Sequence, residues 1–143
     1  MILPKDFLRT IYLGDRACTS LLIDGLNDRV VLRVDAISRI RSTSGDWEFY
    51  TEEDIPDGLI VFEGVDSIRF DPPGLIPNDL INSLEVELVK LGGEELNTVD
   101  LYLFKASVTS AGPEGYRGQV LVEIVAKGVH LEDPLRPGIE ITE

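Results

Sequence analysis

One cysteine and one histidine among 143 residues leave little from which to build cross-links or soft metal sites. Cys18, being alone, excludes an internal disulfide and any multi-thiolate zinc site. His130, being alone, excludes a histidine-rich metal centre. A Ser-His-Asp triad would have to recruit it, yet the chain has no G-x-S-x-G elbow. Neither G-x-x-x-x-G-K nor G-x-G-x-x-G occurs, so the common phosphate cradles are missing too. Long apolar runs are also lacking. Leu59 to Phe62 and Val120 to Val122 fall far short of the roughly 20 residues a membrane-spanning helix needs, and Pro4, Lys5, Asp6 and Arg9 break any secretory-type segment at the amino terminus. These absences point to a cytoplasmic chain with no membrane association, no cofactor and no metal, and they argue against an enzyme.

Basic residues are scarce as well. Thirteen Lys and Arg against 26 Asp and Glu give a net charge of -13 and a pI near 4.4. Such a chain repels the phosphate backbone, whose attraction for cations supplies most nonspecific nucleic-acid affinity, so no nucleic acid is expected as a partner.

What is present is period-2 alternation of apolar residues, the signature of half-buried strands. The expected fold is all-β, mainly antiparallel, with one short N-terminal helix, arranged as a β-sandwich or flattened barrel in a single domain, residues 1–143. The helix is expected over Pro4 to Leu13, where Phe7, Leu8, Ile11 and Tyr12 recur on one face before Gly14. Ala17 to Asp24 and Arg29 to Ile40 read as a hairpin about Gly25 to Asp28. Setting Asp24 against Arg29 pairs Ile23 with Val30 and Leu21 with Leu32. Trp47 and Phe49 mark a short aromatic strand, Leu59 to Phe62 and Val65 to Asp71 two more, and Pro72, Pro73, Gly74 and Pro77 a long loop. Leu84, Val86 and Leu88 alternate with acids. A second hairpin is expected from Val99 to Val108 and Tyr116 to Ala126 across a loop at Ser110 to Gly115, with Leu103 opposite Val122 and Phe104 opposite Leu121. Both of its faces are apolar, which places it centrally in the sheet or against a second copy in a homodimer.

The acids are unevenly spread. Asp46 to Asp71 holds nine acids and one base, so this stretch supplies -8 of the -13. Its densest part, Thr51 to Gly58, admits three readings. The acids decorate a solvated one-turn helix and the turn Pro56-Asp57-Gly58; or Glu52, Glu53, Asp54 and Asp57 form the contact face for a basic protein partner; or they hold calcium, although the D-x-[DN]-x-[DN]-G loop pattern is missing. Arg33, Asp35, Ile37, Arg39 and Arg41 share a strand face by spacing. In so acidic a chain those arginines are expected to pair with carboxylates on neighbouring strands rather than line an anion groove. Cys18 is expected to be a small buried hydrophobe, and His130 a structural residue, because no second histidine or cysteine exists to build a site with it.

The stretches Phe7 to Arg16, Ile37 to Ser42, Trp47 to Thr51 and Asp71 to Asp79 resemble a small family of uncharacterised bacterial proteins. The resemblance spans nearly the whole chain, implies bacterial origin and carries no catalytic or binding residue with it. In size and acidity the chain is also similar to immunity proteins of bacterial toxin systems. The expected function is a non-enzymatic, acidic protein-binding domain whose partner is a basic protein such as a toxin domain. The alternatives are a small-ligand- or metal-dependent β-sandwich enzyme, with a pocket near Trp47, the acidic loop and His130, and a structural homo-oligomer.

Overall fold

A computed structural model describes residues 2–39, 54–90 and 99–143. The aromatic strand expected at Trp47 and Phe49, with Arg41, Thr51, Glu52 and Glu53, lies outside them.

Two antiparallel sheets face each other, one of them curled into a half-barrel. The first is built on β3 (Arg29–Arg39), which pairs along one edge with both β1 (Ile11–Tyr12) and β2 (Cys18–Asp24), and along the other with β4 (Ile55–Glu63), followed by β9 (Gly128–Glu132). The second runs in the order β5 (Ser67–Asp71), β8 (Gly115–Ala126), β7 (Leu101–Gly112), β6 (Ile81–Lys90). An Ala17–Leu80 bridge and the bonds Cys18 N–H to Asp79 O and Ile81 N–H to Arg16 O tie the start of β2 to the start of β6.

The helix is shorter than expected: α1 covers Pro4–Leu8, and Ile11 and Tyr12 are a strand paired with Arg39 and Ser38. Thr10 accounts for the stop. Its N–H and its hydroxyl both donate to the Phe7 carbonyl, at 2.9 and 2.7 Å, so the side chain competes with the helical pattern just before β-branched Ile11.

The first hairpin has the expected register, with Asp24 opposite Arg29, Ile23 opposite Val30 and Leu21 opposite Leu32. Pro56, Asp57 and Gly58, expected as a turn, instead lie inside β4, with Pro56 opposite Ala36 and Gly58 opposite Val34. Pairing with β9 covers only Leu59 to Glu63, so Pro56 sits where β4 has no second neighbour, a place in a sheet where proline is tolerated. Gly58 is needed for packing, because a Cβ there would come within 2.6 Å of Ile37 Cδ1.

The second hairpin differs in register. Leu103 faces Val125 and Phe104 faces Ile124, three residues from the expected pairs. The chain reverses at Pro113 and Glu114 between the paired Gly112 and Gly115, not over a six-residue loop, and a register shift beyond Ala111 completes the offset. An odd offset turns side chains over. The observed alignment sets Phe104, Ala106 and Val108 against Ile124, Val122 and Val120 on one buried face, and Lys105 against Glu123 on the other. The expected one would have set Lys105 against Val120. β7 and β8 are indeed central in their sheet, with one face fully buried and the other half-buried at Leu103, Leu121 and Val125.

The core lies between the sheets. Val30, Leu32, Val34, Ile60, Phe62 and Leu131 come from one, Phe104, Val108, Val120, Val122 and Ile124 from the other, and the Phe62 and Phe104 rings meet edge to face at 5.0 Å between centroids. Cys18 joins this core, as expected, its Sγ 3.4 Å from Ser20 O. Burial, only partly offset by that hydrogen bond, pushes its thiol up to about 11. A chromogenic disulfide reagent at pH 8 should therefore leave Cys18 untouched in the folded chain and modify it fully in denaturant. Rapid reaction under native conditions would show that the start of β2 opens readily.

Candidate functional site

The period-2 alternation that sends Val30, Leu32, Ile60 and Phe62 inward turns the intervening residues of the first sheet outward. Register arranges these in rows: Asp24, Arg29 and Glu63; then Leu22, Val31, Val61 and His130; then Arg33, Leu59 and Glu132. Val31, Val61 and His130 are buried although they face away from the inter-sheet core.

His130 is only 1% exposed and is gripped at both ring nitrogens: Nδ1 is 2.9 Å from Glu63 Oε1, and Nε2 is 2.6 Å from Glu132 Oε2. Arg29 Nη1 lies 3.7 Å from the same Glu132 oxygen. Beyond β9 the chain turns back so that Leu131 and Ile141 exchange backbone hydrogen bonds of 2.9 and 2.8 Å, and this brings Glu140 beside Glu63 and His130. Burial pulls the imidazole's proton affinity down. The hydrogen bonds to Glu132 and Glu63 and the charges of Glu63 and Glu140 more than offset it, and the net direction is upward from 6.5.

Of the four acids expected as a partner face, Asp54 and Asp57 fall among the described residues. Glu52 and Glu53 lie outside these. Asp54 Oδ1 accepts the backbone N–H of Arg39 at 3.0 Å. Asp57, held at φ 61°, is paired with Arg33, whose Nε donates to its Oδ1 at 2.6 Å and whose Nη2 donates to Oδ2. The Arg33 hydrogen bonds hold the Asp57 carboxyl below its usual range. Arg33 thus meets a carboxylate across β3 and β4, as expected of it. Arg39, expected on the same face, is instead buried against α1 and the C-terminal tail.

A feature that sequence reasoning missed is the tip of the first hairpin. Leu22, Ile23 and Leu26 are 56%, 54% and 92% exposed. The turn beneath them is fixed: Asp24 accepts the Asn27 N–H at 3.2 Å and the Asn27 side-chain amide at 2.8 Å, and Val65 N–H donates to Asp28 O at 2.8 Å. Asp24 and Asp28 thus lie within the tip, and the Val65–Asp28 bond brings Val65 and Asp66 to it, with Lys127 packed over Gly64. The signal was visible as an aliphatic residue, Leu26, inside the turn Gly25 to Asp28. The outer face of the second sheet contrasts with it. Register there aligns Arg69, Glu123, Lys105 and Glu85 across four strands, alternating in sign, and Lys105 Nζ also reaches Glu87 at 3.5 Å. Charges of both signs thus alternate across this face.

Among the described residues no helix is long and apolar enough to cross a membrane. No curated protein and no solved structure shows a significant match to the chain. A family profile does match, over residues 1–143 and so from end to end of the sequence, and the chain belongs to that family, described as a family of unknown function (DUF6258).

Proposed function

We propose that the chain is a non-enzymatic protein-binding domain, that the tip of the β2–β3 hairpin is its contact surface, and that its partner is a basic protein. The observation that carries this is the exposure of Leu22 and Ile23 at the end of β2 and of Leu26 in the hydrogen-bonded turn that follows, with Asp24 and Asp28 in the same tip and Val65 and Asp66 brought to it by the Val65–Asp28 bond. Leu22 and Ile23 point to opposite faces of β2, so the tip presents apolar surface on both sides, edged by acids, as a projection that inserts into a partner's recess requires. A rigid turn also reduces the ordering cost of binding. The net charge of -13 adds long-range attraction for a basic surface. A toxin domain neutralised by an immunity protein is one pairing of this chemistry. Glu52, Glu53, Asp54 and Asp57 then contribute to the field rather than to the contact.

The test is to isolate binders on immobilised chain, identify a basic one, and measure its association and dissociation rates with wild type and with a Leu22→Ser, Leu26→Ser, Asp66→Lys variant. Loss of about 2 kcal/mol per central apolar residue, the scale of interface hot spots, is expected. Association should slow markedly between roughly 0.1 and 1 M salt as the screening length contracts. Equal rates for the variant, with its melting temperature unchanged, would remove the hairpin tip from the interface.

A further inference from the structure

We propose that Glu63, His130 and Glu140 bind one divalent transition-metal ion, with Glu132 holding the imidazole in place. The three groups come from β4, β9 and the C-terminal tail, and their ligand atoms lie within 4.8 Å of one another. Ligands of a single ion at bond lengths of roughly 2.0–2.2 Å are at most about 4.4 Å apart. In a tetrahedral site such ligands lie roughly 3.3–3.6 Å apart, so the carboxylates of Glu63, half-buried, and Glu140, exposed, close on the ion by side-chain shifts of about 1 Å.

The two ring nitrogens of His130 have different neighbours, and the difference assigns their roles. At a metal-bound imidazole, the nitrogen turned away from the ion donates its proton to a carboxylate, which fixes tautomer and ring orientation. Glu132 Oε2, 2.6 Å from Nε2, is that carboxylate, and Arg29 at 3.7 Å keeps it in position. Nδ1 faces Glu63 at 2.9 Å on the side where Glu140 arrives. On binding, any proton on Nδ1 leaves to solvent, and its lone pair joins one oxygen from each of Glu63 and Glu140. The exposure of Glu140 gives the ion its route in.

One imidazole and two carboxylates suit Zn²⁺, Mn²⁺ or Fe²⁺ better than Ca²⁺, which takes six to eight oxygens. Three protein ligands leave positions for water. The ion also acts mechanically: Glu140 precedes Ile141, which pairs with Leu131, so coordination fastens the tail to β9.

The chain is stripped with a chelator, dialysed, and titrated with Zn²⁺ by calorimetry and with Mn²⁺ by NMR, where His130, the one histidine, gives a single set of ring signals. One Zn²⁺ per chain is expected, together with selective broadening of those ring signals by Mn²⁺. Glu132→Gln should weaken Zn²⁺ binding about 10–100-fold. Glu140→Gln, a change on the exposed tail, should fold normally and weaken it by at least about 10-fold on the same scale. Glu123→Gln, on the other sheet, should change nothing. Zn²⁺ should also slow amide exchange at Leu131 and Ile141. Absence of stoichiometric uptake, unperturbed His130 signals, or wild-type affinity in Glu140→Gln would overturn the proposal, and unchanged affinity in Glu132→Gln would overturn the orienting role assigned to that residue.

Discussion

Phe62→Ala is expected to destabilise the folded chain by about 3–5 kcal/mol, the range for deleting a large aromatic side chain from a packed core. Phe62 is fully buried on β4, and its ring meets Phe104 of β7 edge to face at 5.0 Å, so it bridges the two sheets. Removing it loses the transfer free energy of the ring and leaves a cavity that sheets held by their own ladders cannot collapse to fill. Urea unfolding should show a lower midpoint with an unchanged slope, the sign of reduced stability rather than altered compactness. Leu26→Ser, at the exposed tip, should stay within about 0.5 kcal/mol of wild type. A Phe62→Ala loss below about 1 kcal/mol, less than the cavity range allows, would mean that the sheets do not pack through this residue.

How much of this was legible depended on whether one face of each segment was clearly wetter than the other. In the first hairpin the opposed pairs are apolar on apolar, closed by Asp24 and Arg29, and only one register satisfies them. In the second, Leu101, Leu103, Leu121 and Val125 make the outer face apolar too. Hydrophobic pattern therefore tolerates several registers, and a tight turn at Pro113 and Glu114 decides among them. Pro56-Asp57-Gly58 has turn composition but sits on a part of β4 without a second neighbour, where proline is tolerated and where Asp57 takes a positive φ. The His130 cluster was half visible: Val129-His130-Leu131-Glu132 alternates, so His130 and Glu132 must share a face. Glu63 is 67 residues distant, and only the pairing of Val61 with His130 reveals it. Glu140 depends on the tail turning back onto β9, for which no local pattern exists.

Arg39→Met is expected to cost about 3 kcal/mol or more, the loss of two charge-assisted hydrogen bonds at roughly 1.5–3 kcal/mol each. Arg39 is 2% exposed, which for a guanidinium demands partners on several sides. Its Nη2 donates to Thr10 Oγ1 at 3.2 Å and to the Glu143 backbone carbonyl, its charge lies 5.9 Å from the centroid of the Phe7 ring, and its own N–H goes to Asp54. One side chain thus joins the end of α1 to the C-terminal tail. Methionine matches much of the stem's volume but supplies no donor, so the Glu143 and Thr10 oxygens lose a charge-assisted hydrogen bond each. Arg39→Lys should recover little, because a point charge cannot reproduce the planar fork. Faster amide exchange at Ile141 should accompany the loss of stability, since the tail is then held to the sheet chiefly by its pairing with Leu131. Arg33→Met, which removes a half-exposed pair, should leave both properties near wild type. Arg39→Met unfolding at the wild-type midpoint, with Ile141 exchange unchanged, would show that the guanidinium does not anchor the tail.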